Sequence, residues 1–227
     1  MEKSKLKAFV SWSGGKDAAL SCHRAMKDYE VTCLLNMVSE AGVTSRAHGV
    51  RTDVLRMQAE AMALPIIQRR TSWETYEREF KAAVSLLKEE GIEAGIFGDI
   101  DLAEHREWVE RVCREAGVSA ALPIWEEKRG SLLEEFIHEG FEALVISVRN
   151  DVLGPEWLGR VIDERFVAEL SQRSDVDLSG ENGEYHTLVV SGPIFKKKVR
   201  VVQSETVVQD ERSILDITAC EVVERDV

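Results

Sequence analysis

The residues Ser13-Gly14-Gly15-Lys16-Asp17 combine a hydroxyl, two positions without side chains, a cation and a carboxylate within a single turn of chain. Gly14 and Gly15 let backbone approach an anion closely, Lys16 adds a mobile positive charge, and Ser13 offers a hydroxyl donor. Asp17 can cap a helix or help hold Mg²⁺. The apolar run Lys7 to Trp12 precedes the string, and Ala19, Cys22, Ala25, Met26 and Tyr29 follow it at helical spacing. A loop between a strand and a helix gathers backbone N–H groups and a helix dipole at one place, so it is an anion site. The string matches neither G-x-x-x-x-G-K-[ST] nor G-x-G-x-x-G, and nothing is borrowed from those motifs. A glycine turn with a surface lysine is the plainer reading, and the strand-loop-helix setting argues against it.

A second cluster, Gly180-Glu181-Asn182-Gly183-Glu184-Tyr185-His186-Thr187, sets two acids, a tyrosine and a histidine just before a β-run. On composition alone the better reading is a solvated hairpin entry. Asp99 and Asp101 follow the strand-like Ala94 to Gly98, at the carboxyl edge where open α/β sheets bind ligands, and simple solvated acids are an equal reading. His23, His105 and His138 form no metal-ligand set by spacing, and the tryptophans read as packing residues.

The elements around these residues alternate. Val31 to Val38 reads as a strand; Val50, Val54, Met57 and Ala61 mark a helix ending before Pro65; Pro65 to Gln68 is strand-like. Tyr76, Phe80, Ala83 and Leu87 mark a helix closed by Gly91, and Val109, Val112, Cys113 and Ala116 another. The pattern predicts an α/β fold, a mostly parallel sheet covered by helices. The segment Leu122 to Ser131 is the expected boundary, giving an amino-terminal domain over 1–125 and a second domain over 126–227. Beyond it come a helix at Leu132 to Ile137, a strand at Phe141 to Val148, and a helix carrying Ile162, Phe166 and Leu170. Val189 to Val190, Val199 to Val202, Glu205 to Val208 and Ile214 to Val222 are β-rich, so the second domain is expected to be a smaller α+β unit ending in antiparallel pairs.

With 227 residues, 44% hydrophobic and 31% charged, the chain is long enough to bury a core without staples. No run approaches the ~18 apolar residues that span a membrane, and the amino terminus does not read as a secretory signal. A net charge of −12 argues against nucleic acid as a partner, and the cluster Lys196 to Lys198 with Arg200 reads as a solvated strand end. Cys22, Cys33, Cys113 and Cys220 are too widely spaced for a metal or dithiol centre and are expected to be reduced and mostly buried, as in a cytoplasmic protein.

At Ser13 to Asp17 the chain resembles the PP-loop ATP pyrophosphatase superfamily, a HUP-like fold whose S-G-G-x-D-S loop grips the pyrophosphate of ATP. Ala18 departs from it, keeping the backbone amide and losing a hydroxyl. Together with Phe97-Gly98-Asp99-Ile100, Trp157-Leu158-Gly159-Arg160 and the late GENGEYHT, the loop resembles the diphthine-ammonia ligase family over nearly the whole chain. That resemblance implies an ATP-dependent, AMP-forming ligase that adenylates the carboxylate of diphthine on elongation factor 2 and transfers ammonia to it. It implies ATP binding by Ser11, Ser13, Gly14, Gly15, Lys16, Asp17, Ala18, His48, Gly98 and Asp99, with Lys16 and Asp17 catalytic and Asp17 on Mg²⁺. Glu181, Glu184, Tyr185, His186 and Thr187 are expected on the substrate, where acids and an aromatic face suit a trimethylammonium group. The phosphate loop and the late loop are thus expected to work separately. Ammonium is the expected nitrogen source, and self-association into a homo-oligomer stays open. A PP-loop enzyme that modifies tRNA and an ATP-binding sensor without turnover are the alternatives.

Overall fold

A computed structural model describes residues 4–225, so the first three residues of the amino-terminal stretch read for a secretory signal lie outside it. The chain divides into two compact units. One holds the chain up to Ser13, Asp17–Thr52 and Leu64–Glu127; the other holds Gly14–Lys16, Asp53–Ala63 and the chain from Lys128 onward. The 125/126 division expected from sequence lies close to the last of these crossings and omits the two earlier segments of the second unit.

The first unit is built on a five-stranded parallel sheet in the order β3-β2-β1-β4-β5, with β1 Leu6–Ser11, β2 Tyr29–Val38, β3 Ile66–Arg70, β4 Ala94–Ile96 and β5 Ser119–Ala121. The central strand β1 buries Ala8, Phe9 and Val10 completely, as a strand covered on both faces must. Helix α1 (Lys16–Ala25) follows β1, and α3 (Tyr76–Glu89) and α4 (Ala103–Ala116) follow β3 and β4. Phe80, Val84 and Leu87 of α3 and Val109, Val112 and Cys113 of α4 pack with Phe9, Leu35 and Met37 in one core. Glu77 ties the two helices: Arg111 donates to it at 2.6 and 2.8 Å and Trp108 Nε1 at 3.0 Å. The Arg111 hydrogen bond, helped by Trp108, holds the Glu77 carboxyl at about 2. Strand β5 was not expected: Ser-Ala-Ala is short, lacks β-branched residues and sits at the sheet edge.

The second unit carries an antiparallel sheet in the order β7-β6-β9-β8, with β6 Glu142–Arg149, β7 Tyr185–Ser191, β8 Lys198–Gln209 and β9 Arg212–Val223. Its helices are α2 (Thr52–Met62), α5 (Arg129–His138) and α6 (Glu164–Leu170). Two runs expected around Val202 and Glu205 are one strand, because register shifts at Val201/Gln203 and Gln203/Ser204 place polar residues where the apolar alternation would continue. Ile162, expected on α6, precedes it: Asp163 caps the helix by accepting the Phe166 N–H at 2.7 Å, while the Ile162 N–H donates to Ala143 O at 2.9 Å. Among the described residues no helix is long and apolar enough to cross a membrane.

Truncating Phe80, which is 1% exposed, should destabilise the first unit by about 3–5 kcal/mol, whereas Leu86→Ala on the same helix, at 56% exposure, should shift the urea midpoint little. Equal shifts for both would contradict the assigned core.

Candidate active site

In the first unit, β1 ends where the Trp12 N–H donates to Leu35 O at 2.8 Å and Trp12 O accepts from Asn36 Nδ2 at the same distance, so the glycine-rich loop starts from a pinned strand end. Ser11 and Ser13 flank that point and are half-buried; Asp17 lies in the first turn of α1 and Ala18 is buried beside it. Gly98, just past β4, presses against this turn: a Cβ there would lie 2.8 Å from Ala18 N and 2.9 Å from the Asp17 carbonyl carbon. Only glycine fits so close an approach. Ser21 Oγ, donating to Phe97 O at 2.9 Å, closes the same junction. Asp99 accepts from or donates to His105 Nδ1 at 3.1 Å according to its protonation, and burial, with a smaller push from the Asp17 charge, raises its carboxyl above the usual range. His48 lies in the loop after β2, its N–H donating to Ser45 Oγ at 3.4 Å; its neighbour Arg46 lies 4.4 Å over the ring of Trp73.

In the second unit the late loop meets the middle of the glycine-rich loop, Gly14–Lys16. The N–H of Val189, on the edge strand β7, donates to Gly14 O at 2.9 Å, and Lys16 N–H donates to Thr187 Oγ1 at 3.1 Å. The Lys16 side chain, 6% exposed, places its Nζ 3.8 Å from Glu181 Oε1 and 5.9 Å from the centre of the Tyr185 ring. Tyr185 and Thr187, two apart on a strand, share the face that meets Lys16, while His186 falls on the other. Separate work by the two stretches is the expectation from sequence; in the structure Thr187, Glu181 and Tyr185, all expected on the substrate, lie beside Lys16.

Glu184 and Tyr185 have partners within their own loop. Glu184 is 2% exposed; its Oε1 accepts from the Asp177 N–H at 2.9 Å and Asn182 Nδ2 at 3.1 Å, and its Oε2 accepts from the Asn182 N–H at 3.0 Å. A buried carboxylate so surrounded by donors organises a loop. Tyr185 donates its hydroxyl to Leu178 O at 2.6 Å and sets its ring edge-on to Phe166. From outside, Arg149 and Arg212 donate to Asn182 O at 3.0 Å and Gly183 O at 2.8 Å.

Sequence reasoning missed Gln58 of α2, whose Nε2 donates to Gly14 O at 3.0 Å and to Val189 O at 2.6 Å. The available signal was an amide four residues after Val54, inside the apolar stripe that continues to Ala61.

Among the described residues no group of three or more His, Cys, Asp and Glu side chains is gathered for a metal. Magnesium commonly takes only one or two carboxylates and completes its shell with phosphate and water, and Asp17 in the first turn of α1, with Asp99 next to the Gly98 that presses on that turn, suits that pattern. Burial pushes the thiols of Cys22 and Cys113 up to about 12 and raises those of Cys33 and Cys220, so these thiols are not poised as thiolates.

Among known families, the model described as diphthamide synthase N-terminal domain matches residues 6–120, and that described as diphthamide synthase C-terminal domain matches residues 128–223. The diphthine–ammonia ligase of Rattus norvegicus is 30% identical over 221 residues, covering 86% of this chain and 83% of the relative. The Homo sapiens protein of that name is 29% identical over 224 residues, with 86% and 83% covered. The one from Schizosaccharomyces pombe is 27% identical over 232 residues, 92% of this chain and 38% of that protein.

Glu184→Ala should leave buried N–H donors without an acceptor, at about 1–3 kcal/mol each. The melting temperature should fall and the late loop become open to proteolysis. Unchanged stability with loss of activity alone would return Glu184 to the substrate.

Proposed function

The chain belongs to the diphthamide synthase family, and on that premise we propose that it amidates the carboxylate of diphthine on elongation factor 2 in two steps driven by ATP. The carboxylate oxygen attacks the α-phosphorus and pyrophosphate leaves; ammonia then attacks the acyl carbon, AMP leaves, and a proton is released with the new amide. A free carboxylate is a poor acyl donor because oxide would have to depart, whereas AMP departs readily. The single observation that carries this reading is the match of both family models, which together run from residue 6 to residue 223 with only a short gap.

In this reading Ser11, Ser13, Gly14, Gly15, Ala18, His48, Gly98 and Asp99 bind ATP, and Lys16 meets the charge that grows on the departing pyrophosphate. Asp17 with Asp99 would hold Mg²⁺, which supplies charge neutralisation to the phosphates. Of the late loop, Thr187, Glu181 and Tyr185 set the position of Lys16, Glu184 shapes the loop, and His186 remains a candidate for the substrate. Residues 126–227 carry substrate recognition. A tRNA-modifying reading finds no support in thiols that burial keeps protonated, nor in a charge of −12. A sensor without turnover is not favoured by relatives named as ligases.

With ATP, ammonium and diphthine-bearing elongation factor 2, the chain should form AMP, pyrophosphate and protein amide in equal amounts. ADP and phosphate as main products would overturn the proposal. Lys16→Ala should lower turnover by about 10²–10³-fold, the usual effect of losing one preorganised donor to a developing oxyanion. Pyrophosphate release measured on a folded variant checks this.

A further inference from the structure

Gly14 and Gly15 share a trans peptide, since no cis peptide bond occurs among the described residues. In a planar trans unit the carbonyl of the first residue and the N–H of the second point in opposite directions. The Gly14 carbonyl points at β7 and α2, where it accepts from both the Val189 N–H and Gln58 Nε2. The Gly15 N–H is therefore turned away from β7 and α2.

A glycine–glycine peptide flips with little intrinsic resistance, because a flip changes ψ of the first residue and φ of the second, and glycine tolerates nearly every value of both. Gly14 already sits at φ 86°. A flip would place a carbonyl oxygen where the Gly15 N–H had been, and an anion facing that spot would meet a negative dipole in place of a positive one. We propose that Gln58 is a positioning residue for the phosphate loop: it holds the Gly14 carbonyl against β7 and so keeps the Gly15 N–H turned toward the pyrophosphate end of ATP.

Three features support this. Gln58 is 0% exposed on a stripe with buried Val54, Leu55, Ala61 and Met62, where a methionine would fill similar space without a polar group to satisfy. The two hydrogens of its amide nitrogen match the two carbonyls it reaches, one in the loop and one in the strand that holds the loop. A Cβ on Gly14 would lie 2.8 Å from Gln58 Oε1 and 2.6 Å from Leu55 Cδ2, so α2 presses on this peptide and the conformation is confined from that side. The inference rests on the phosphate-loop reading of the proposed function.

The test uses the full chain with magnesium and inorganic pyrophosphate as the probe, so it requires neither diphthine nor turnover. Wild-type chain should bind pyrophosphate by calorimetry, and in ¹⁵N-glycine-labelled chain the Gly15 amide signal should move on binding. Folded Gln58→Met should bind at least tenfold more weakly and lose the Gly15 shift; in the amidation assay kcat should fall while KM for ammonium stays. Wild type that ignores pyrophosphate would overturn the phosphate-loop reading, and this inference with it. Undiminished binding by folded Gln58→Met would overturn the role of Gln58 alone. If the methionine variant does not fold, Gln58→Glu carries the test. Its carboxyl donates a hydrogen bond only when protonated, so affinity relative to wild type should be highest at low pH and fall as pH rises. A flat ratio across pH would overturn the inference.

Discussion

The seating of Gly14–Lys16 in the second unit turns on one hydrogen bond between distant parts of the chain, from the Val189 N–H to the carbonyl of Gly14. Edge strands leave a row of unpaired backbone groups. Here the open side of β7 at Val189 is met by the Gly14 carbonyl at its N–H and by Gln58 at its C=O. The shape of Gly14 to Lys16 is thus a property of β7 and α2 as well as of a glycine-rich string. Thr187 extends the contact by receiving the Lys16 N–H, so the loop joins the strand at both of its ends within this unit.

Burial of the Lys16 ammonium follows from that attachment. A cation in so enclosed a place requires a counter-charge, which Glu181 provides at 3.8 Å, with the face of Tyr185 adding a weaker attraction. Glu181 in turn is steadied by its backbone: its N–H donates to Asp177 Oδ1, the same oxygen that receives the Ser179 N–H, and Arg129 faces the other oxygen of that carboxylate. The acids of the late loop therefore divide by burial. Glu184 is enclosed and surrounded by N–H donors, whereas Glu181 reaches the lysine from a partly open position.

Local pattern made the β1-loop-α1 junction legible, because an apolar run, two glycines and a helical stripe follow in order. The helices α3 and α4 were legible for the same reason: Phe80, Leu87, Val109 and Val112 recur with the helical period. What lay beyond reach depends on long-range register. Nothing near Thr187 indicates that its hydroxyl accepts from Lys16, and nothing near Glu184 indicates that Asp177 and Asn182 surround it, since residue type reports chemistry and not direction. That ambiguity explains why an acid and a tyrosine suited to a quaternary ammonium could be assigned to the substrate when their partners lie within the loop. Gln58 illustrates the opposite case, a polar residue on an apolar face that only its two carbonyls explain.

The second unit is also discontinuous in sequence, taking Gly14–Lys16 and Asp53–Ala63 from regions otherwise belonging to the first and the rest from Lys128 onward. During synthesis, chain emerges from the ribosome amino end first, at roughly 5–20 residues per second. Gly14–Lys16 and α2 therefore emerge long before β7, and cannot reach their final partners until nearly the whole chain has been made. Pairings between such distant residues close slowly, because the entropy of loop closure opposes them before any contact forms. The segment Gly14–Lys16 would acquire its shape among the last events of folding, so a nascent chain interrupted before β7 would carry the glycine-rich string without the strand that shapes it.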